Sequence, residues 1–125
     1  MNNYKTDKCN VLVIGCGGAG LRAAIEVKNH DLNVKVIGKR SKNDAHTVLA
    51  AGGINASFGN LDKNDSWTQH FIDTFHEGYS IGDPDCIELM AKNATYHVNE
   101  IDNWGANFER TENGEFNQRY FGAHK

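Results

Sequence analysis

Val11-Leu12-Val13-Ile14 is a continuous apolar run, rich in β-branched residues, and it predicts a buried strand over Cys9–Gly15. The pattern then changes period. Leu21, Ala24, Ile25 and Val27 are apolar at helical spacing, which predicts a helix from Gly18 to about Asn29, ended by the polar break Asn29-His30-Asp31. Asn33–Gly38 is a second strand. Two strands joined by one crossover helix form a right-handed βαβ unit with a parallel sheet. Asp44 is placed to cap a short helix through Leu49 or Ala50, with Gly52-Gly53 turning the chain at its end. Trp67, Phe71 and Phe75 recur every four residues, with Ile72 alongside, and predict a helix over Ser66–His76 with Ser66 as its cap. Asp83-Pro84 opens another helix, Asp as cap and Pro as first helical residue. Its expected buried stripe is Ile87, Met90, Ala94, Val98 and Ile101, and Gly105 follows its end. The strand-like runs Phe108–Thr111 and Glu115–Phe121 flank Asn113-Gly114, a hairpin signal. The fold class is therefore α/β: a Rossmann-like βαβ unit followed by helices and a β-hairpin.

Where the first strand gives way to the first helix stands G-x-G-x-x-G, at Gly15, Gly17 and Gly20. Gly15 suits the tight turn, Gly17 lets the backbone approach a pyrophosphate, and Gly20 lets the helix lie close on the strand. Free N–H groups and the positive end of the helix dipole then face the phosphates. A dinucleotide site follows from this motif in this strand-to-helix context. A nicotinamide site would usually carry an acid about 20 residues on. This chain has Lys39 and Arg40 there, which suits a 2′-phosphate, or the pyrophosphate or adenosine of FAD, equally well; a solvated turn explains Lys42 and accounts for Lys39 as readily.

The stretch 44–60 is small, glycine-rich and mildly polar, a poor surface loop but a good wall against a flat ligand. His46 lies between the βαβ unit and this wall, where an imidazole could meet a flavin ring or simply hydrogen-bond. His70, Asp73 and Glu77 share a helix face that reads as solvated rather than metal-binding. His97 reads as a boundary residue beside the buried stripe, and His30 and His76 as helix-end residues.

Composition narrows the function classes. The 125 residues fit one domain, and 39% hydrophobic content allows a core. With 13 basic and 16 acidic residues, nothing favours nucleic acid or an anionic surface. Cys9, Cys16 and Cys86 form no C-x-x-C, so neither a zinc ribbon nor an iron–sulfur cluster is signalled, and no metal site is expected. An odd number of cysteines without a framework suggests a reducing compartment. Two parallel strands are few for a doubly wound sheet, so residues 1–125 are expected to be an N-terminal piece of a larger protein.

The run from Val13 to Ala24, then His46-Thr47-Val48, Ala50–Ala56, Asp65-Ser66-Trp67, Gly82-Asp83, Arg110–Gly114 and Gln118–Gly122, resembles the succinate dehydrogenase/fumarate reductase flavoprotein subunits. The likeness implies that residues 1–125 are the N-terminal portion of an FAD-binding domain, without its capping and C-terminal regions, and that FAD is held by Gly15, Gly17, Gly18, Ala19, Gly20, Lys39, Arg40, His46, Thr47, Ala51, Gly52 and Gly53. It also implies a bond from His46 to the flavin 8α-methyl carbon, which raises the reduction potential. Gly52 and Phe121 would line the dicarboxylate pocket. Ala45 and Ala51 replace polar residues common in the family. The acid–base residues are expected beyond Lys125, so this portion alone is expected to be inactive. The implied reaction oxidises succinate to fumarate, or the reverse, by hydride transfer to flavin N5. Electrons would leave through an iron–sulfur subunit. Membrane-anchor subunits would hold the protein on the inner, cytoplasmic face of the cytoplasmic membrane. The alternatives are an L-aspartate oxidase-like soluble flavoenzyme, which His46 disfavours, and a non-catalytic dinucleotide-binding module.

Overall fold

The computed structural model describes residues 5–50 and 53–120 and divides into two compact units, Met1–Gly52 and Gly53–Lys125.

In the first unit, β1 (Val11–Ile14) and β2 (Val34–Ile37) pair in parallel, with Val11 opposite Val34 and Ile14 opposite Ile37. The connection is α1 (Gly18–Asn29), with the predicted bounds, and it packs on both strands. Val11 and Val13 are half-buried, whereas Leu12, Ile14 and Ile37 are exposed, Ile14 to 81%. Apolar residues on both faces are what a parallel strand carries. Helix α1 ends as its polar break predicts. Asp31 takes a left-handed conformation (φ 56°), and the amides of Asp31 and Leu32 return to the carbonyls of Lys28 and Val27. Asp tolerates that region better than most residues. On the surface of α1 the Arg22 guanidinium, 2.9 Å from Glu26, holds that carboxyl below the usual carboxylate range.

The segment after β2 departs from expectation. A single 3₁₀ turn, Lys42–Asp44, precedes a one-turn α2 (His46–Leu49). Asp44 does not cap it. Asp44 is consumed in the 3₁₀ turn, its amide bonded to the Ser41 carbonyl, and Ala45 becomes the N-cap with no side-chain bond. The helix does end at Leu49, as predicted, where Ala50 turns extended (ψ 126°).

In the second unit, α3 (Trp67–Glu77) packs on α4 (Pro84–Asn103). Ser66 caps α3 by accepting from the Gln69 amide at 3.2 Å, as expected. Asp83 caps α4 by accepting from the amides of Asp85 at 2.9 Å and Cys86 at 3.3 Å, with Pro84 at the first helical position. Two first-turn donors therefore depend on one carboxylate. Asp83→Ala is expected to cost about 1 kcal/mol, read as a lower urea midpoint with an unchanged slope.

Which residues of α3 and α4 are buried differs from the sequence pattern. Ala91 (2% exposed) and Val98 (6%) are buried in α4, while Met90, assigned to the stripe, is 42% exposed. Ala91 and Val98 share one face of α4, and Met90 lies off that face. On α3 the buried residue is His70 (7% exposed), which the pattern placed on a solvated face; Trp67 and Ile72 are exposed. The Lys92 ammonium lies 4.6 Å over the Trp67 ring, so the indole is covered by a charged stem at the rim rather than by the core. His97 is exposed and lies 3.2 Å from Glu100. Gly105 (φ 99°) ends α4, its amide and that of Ala106 returning to the carbonyls of Asp102 and Ile101.

The hairpin is narrower than two strands. Its ladder is one antiparallel bridge, Arg110 to Phe116. Of Asn113-Gly114 only Gly114 is left-handed (φ 82°), and its amide closes a turn on the Thr111 carbonyl at 2.9 Å. That is the pattern of a type I turn followed by a glycine bulge, which consumes residues the ladder would otherwise use. Arg110 locks the hairpin onto α4: its guanidinium donates to Asp102 at 2.6 Å and to the Gly114 carbonyl at 3.2 Å and lies 3.9 Å over the Phe116 ring.

Candidate functional site

The βαβ unit brings three segments to the C-terminal edge of its two strands, which is where parallel sheets hold ligands. The first is the glycine turn. Gly15 has φ 122°, a conformation that excludes an ordinary side chain, and its amide donates to the Ile37 carbonyl at 2.7 Å. A methyl group on Gly20 would overlap the Gly15 carbonyl, so α1 can start this close to β1 only with glycine there. Gly17 is the N-cap of α1 and has no side chain to serve the helix amides. Among the described residues no acceptor takes the Ala19 or Gly20 amide. Those donors and the open space over Gly17, whose nearest neighbour to an added Cβ would be the Thr47 hydroxyl at 3.6 Å, form a cradle that fits a pyrophosphate.

The second segment is the exit from β2. Lys39 and Arg40 are both exposed there. The Cys16 thiol lies 3.9 Å from the Arg40 carbonyl, and a methyl on Gly38 would strike that same sulfur. The glycine turn and the β2 exit are thus packed against each other, with cysteine filling the room that Gly38 leaves. No sequence pattern signalled this pair. Glycine directly after a strand facing a small residue in the other turn was its only trace.

The third segment is α2. His46 is exposed at its first position, and Thr47 accepts a hydrogen bond from the Gly18 amide at 3.0 Å. Gly15, Gly17, Gly18, Ala19, Gly20, Lys39, Arg40, His46 and Thr47 therefore all belong to one unit and one edge. Ala51, Gly52 and Phe121 lie outside the described residues. Gly53 belongs to the second unit and is exposed, with nothing near an added Cβ.

The expected small-residue wall is partly occupied by protein. Gln118 accepts from the Asn60 amide and donates to the Ala56 carbonyl, both at 2.9 Å, while Asn60 donates to the Phe116 carbonyl at 3.1 Å. The rings of Phe58 and Phe116 meet at 4.7 Å. Residues 56–60 are therefore held against the hairpin, while Gly53, Ile54 and Asn55 are exposed. Gln118 carries this arrangement, and it was visible in the sequence only as part of the family pattern. Among the described residues, no cluster of three or more His, Cys, Asp and Glu could hold a metal ion, and no helix is long and apolar enough to cross a membrane.

A parallel βαβ unit with a glycine turn, free first-turn amides and a basic second strand end defines a dinucleotide-binding protein. A profile described as FAD binding domain matches residues 10–125, and the chain belongs to that family. It is 44% identical over 114 residues to the mitochondrial succinate dehydrogenase [ubiquinone] flavoprotein subunit of Oryza sativa subsp. japonica, covering 91% of this chain and 18% of that one. It is 41% identical over 117 residues to a fumarate reductase (CoM/CoB) subunit of Methanothermobacter marburgensis, covering 93% and 21%. Among solved structures, Mycobacterium smegmatis Sdh1 in complex with UQ1 superposes with a TM-score of 0.86 at 44% identity, over 93% of this chain and 19% of that one. The chain thus spans about a fifth of the length of these relatives.

Proposed function

We propose that this chain is the FAD-binding portion of a flavoprotein that interconverts succinate and fumarate. The observation that carries the reading is the convergence of the glycine turn, the basic β2 exit and His46-Thr47 on one edge of a Rossmann-like βαβ unit. The Ala19 and Gly20 amides hold the pyrophosphate, with the α1 dipole behind them. Lys39 and Arg40 offer cations to the same half of the cofactor. His46 attaches the flavin ring through its 8α-methyl carbon, and Ala51, Gly52 and Gly53 follow the ring. Gly52 and Phe121 line the dicarboxylate pocket. When bound, FAD supplies N5 as the two-electron acceptor for a hydride from the substrate carbon.

Residues 1–125 serve as the N-terminal portion of the FAD domain. The apolar sheet face of Leu12, Ile14 and Ile37, exposed here, supports that assignment, since parallel strands are ordinarily covered on both faces. The acid–base residues lie elsewhere in the full protein, and this portion alone does not turn over. Electrons leave through an iron–sulfur subunit. Membrane-anchor subunits keep the assembly on the inner face of the cytoplasmic membrane.

The test uses the full-length protein loaded with FAD, kept anaerobic and mixed with succinate or with L-aspartate. Bleaching of the flavin absorbance by succinate, reversed by fumarate, is the expected result. Bleaching by L-aspartate alone would move the protein to the oxidase class, and bleaching by neither would leave a non-catalytic FAD module.

A further inference from the structure

We propose that Thr47 is the positioning residue that docks His46 onto the phosphate cradle; this rests on the reading of His46 as the flavin attachment residue. Helix α1 begins with an N-cap, Gly17, that has no side chain, and its first turn contains no acid. Its Gly18 amide would be an orphan donor. Thr47, 29 residues on, supplies the missing cap through Oγ1 at 3.0 Å. The contact is tight as well as polar. A Cβ on Gly18 would lie 3.2 Å from the Thr47 methyl and 3.3 Å from its hydroxyl oxygen, so glycine at 18 makes room for this side chain.

The same bond matters more to α2 than to α1. Helix α2 is one turn long, and its N-cap Ala45 offers no side-chain bond. A single turn does not hold itself in water. Among the described residues, Thr47 to Gly18 is the only hydrogen bond that ties α2 to another element. His46 precedes Thr47 on that turn, so the placement of its imidazole is set by this one anchor. A threonine hydroxyl accepts and donates at once. Among the described residues nothing takes the Thr47 hydroxyl proton, which leaves it available to an anion held by the Ala19 and Gly20 amides. Thr47 thereby registers the helix that carries His46 against the phosphate cradle at the start of α1.

In the attachment, an imidazole N–H and one C–H of the 8α-methyl break and one C–N bond forms. Two protons and two electrons pass through the ring to dioxygen, giving hydrogen peroxide. Thr47 takes no part in bond making and acts on the approach of His46 alone.

The test is the time course of attachment in full-length apoprotein given saturating FAD in air. Bound FAD is measured by absorbance after desalting, and attached flavin by fluorescence that survives denaturing electrophoresis. Thr47→Val keeps the shape and removes the acceptor. It is expected to slow attachment about tenfold or more while FAD still binds at saturation. Thr47→Ser is expected to restore most of the rate, which a purely space-filling role would not predict. Gly18→Ala, pressing on Thr47 from the other side, is expected to slow attachment in the same way and covers the case in which Thr47→Val does not fold. Attachment at the wild-type rate in Thr47→Val or in Gly18→Ala, or equal slowing in Thr47→Ser and Thr47→Val, overturns the proposal. Wild-type protein that binds FAD yet behaves as His46→Ala, with no flavin surviving denaturation, instead overturns the role of His46 itself and removes the basis for Thr47.

Discussion

Gly20→Ala lowers the melting temperature of the FAD-free full-length protein and weakens FAD binding at least about tenfold, some 1.4 kcal/mol. Two opposing effects meet at this position. Alanine in place of glycine favours a helix by about 1 kcal/mol. Against that, the new methyl group overlaps the Gly15 carbonyl oxygen, which is backbone held in place by β1 and by the 2.7 Å bond between Gly15 and Ile37. Overpacking of that kind costs on the order of 3 kcal/mol, so a net loss of about 2 kcal/mol is expected. Helix α1 must retreat from the strand, and the Ala19 and Gly20 amides move with it. Gly17→Ala provides the contrast. Its φ of −80° suits any residue, and its Cβ would meet only the Thr47 hydroxyl at ordinary contact distance. That variant should melt like the wild type and still lose FAD affinity, because its methyl occupies the approach to the cradle. Thermal melts without FAD and titrations with FAD separate the two. Equal melting of Gly20→Ala and wild type would refute the packing account.

His46→Ala is expected to abolish the proposed attachment outright. No yellow-green fluorescence remains on the band after denaturing electrophoresis, while the native protein still binds FAD through the glycine turn. His46 is exposed on a one-turn helix, and its removal should leave the melt of the apoprotein within about 0.5 kcal/mol of wild type. The chemical consequence is directional. Without the bond the flavin potential falls, and each 30 mV or so is about a tenfold change in a two-electron equilibrium. Succinate oxidation should therefore suffer more than fumarate reduction, and steady-state rates in both directions measure this. Fluorescence that persists in His46→Ala would place the attachment on another residue.

Much of this was legible in the chain because it is local. A strand of β-branched residues, a glycine turn and an amphipathic helix are set by neighbours within a few positions, and α1 has the predicted bounds. Caps are local too: Ser66 and Asp83 serve the amides their spacing promises. The failures share a different cause. Ala91 rather than Met90 is buried on α4, and His70 is buried where a polar face was expected, because burial depends on the partner surface and not on one helix's periodicity. Asn113-Gly114 marks a turn from sequence, but the bulge at Gly114 and the grip of Arg110 on Asp102 leave only one bridge of ladder. Asp44 looked like a cap, yet a 3₁₀ turn claimed it.

The dinucleotide turn, the helices and the presence of His46 beside a stretch of small residues are written in the order of the amino acids, since glycine conformation, caps and apolar period act at short range. What meets what is a matter of three-dimensional packing: the Cys16 thiol against Gly38, Gln118 clasping Asn60 and Ala56, and Thr47 capping a helix that begins 29 residues earlier. Those contacts are fixed by the pairing of β1 with β2 and by the packing of the hairpin. An amide donor left open at one place in the chain does not announce which distant hydroxyl will fill it.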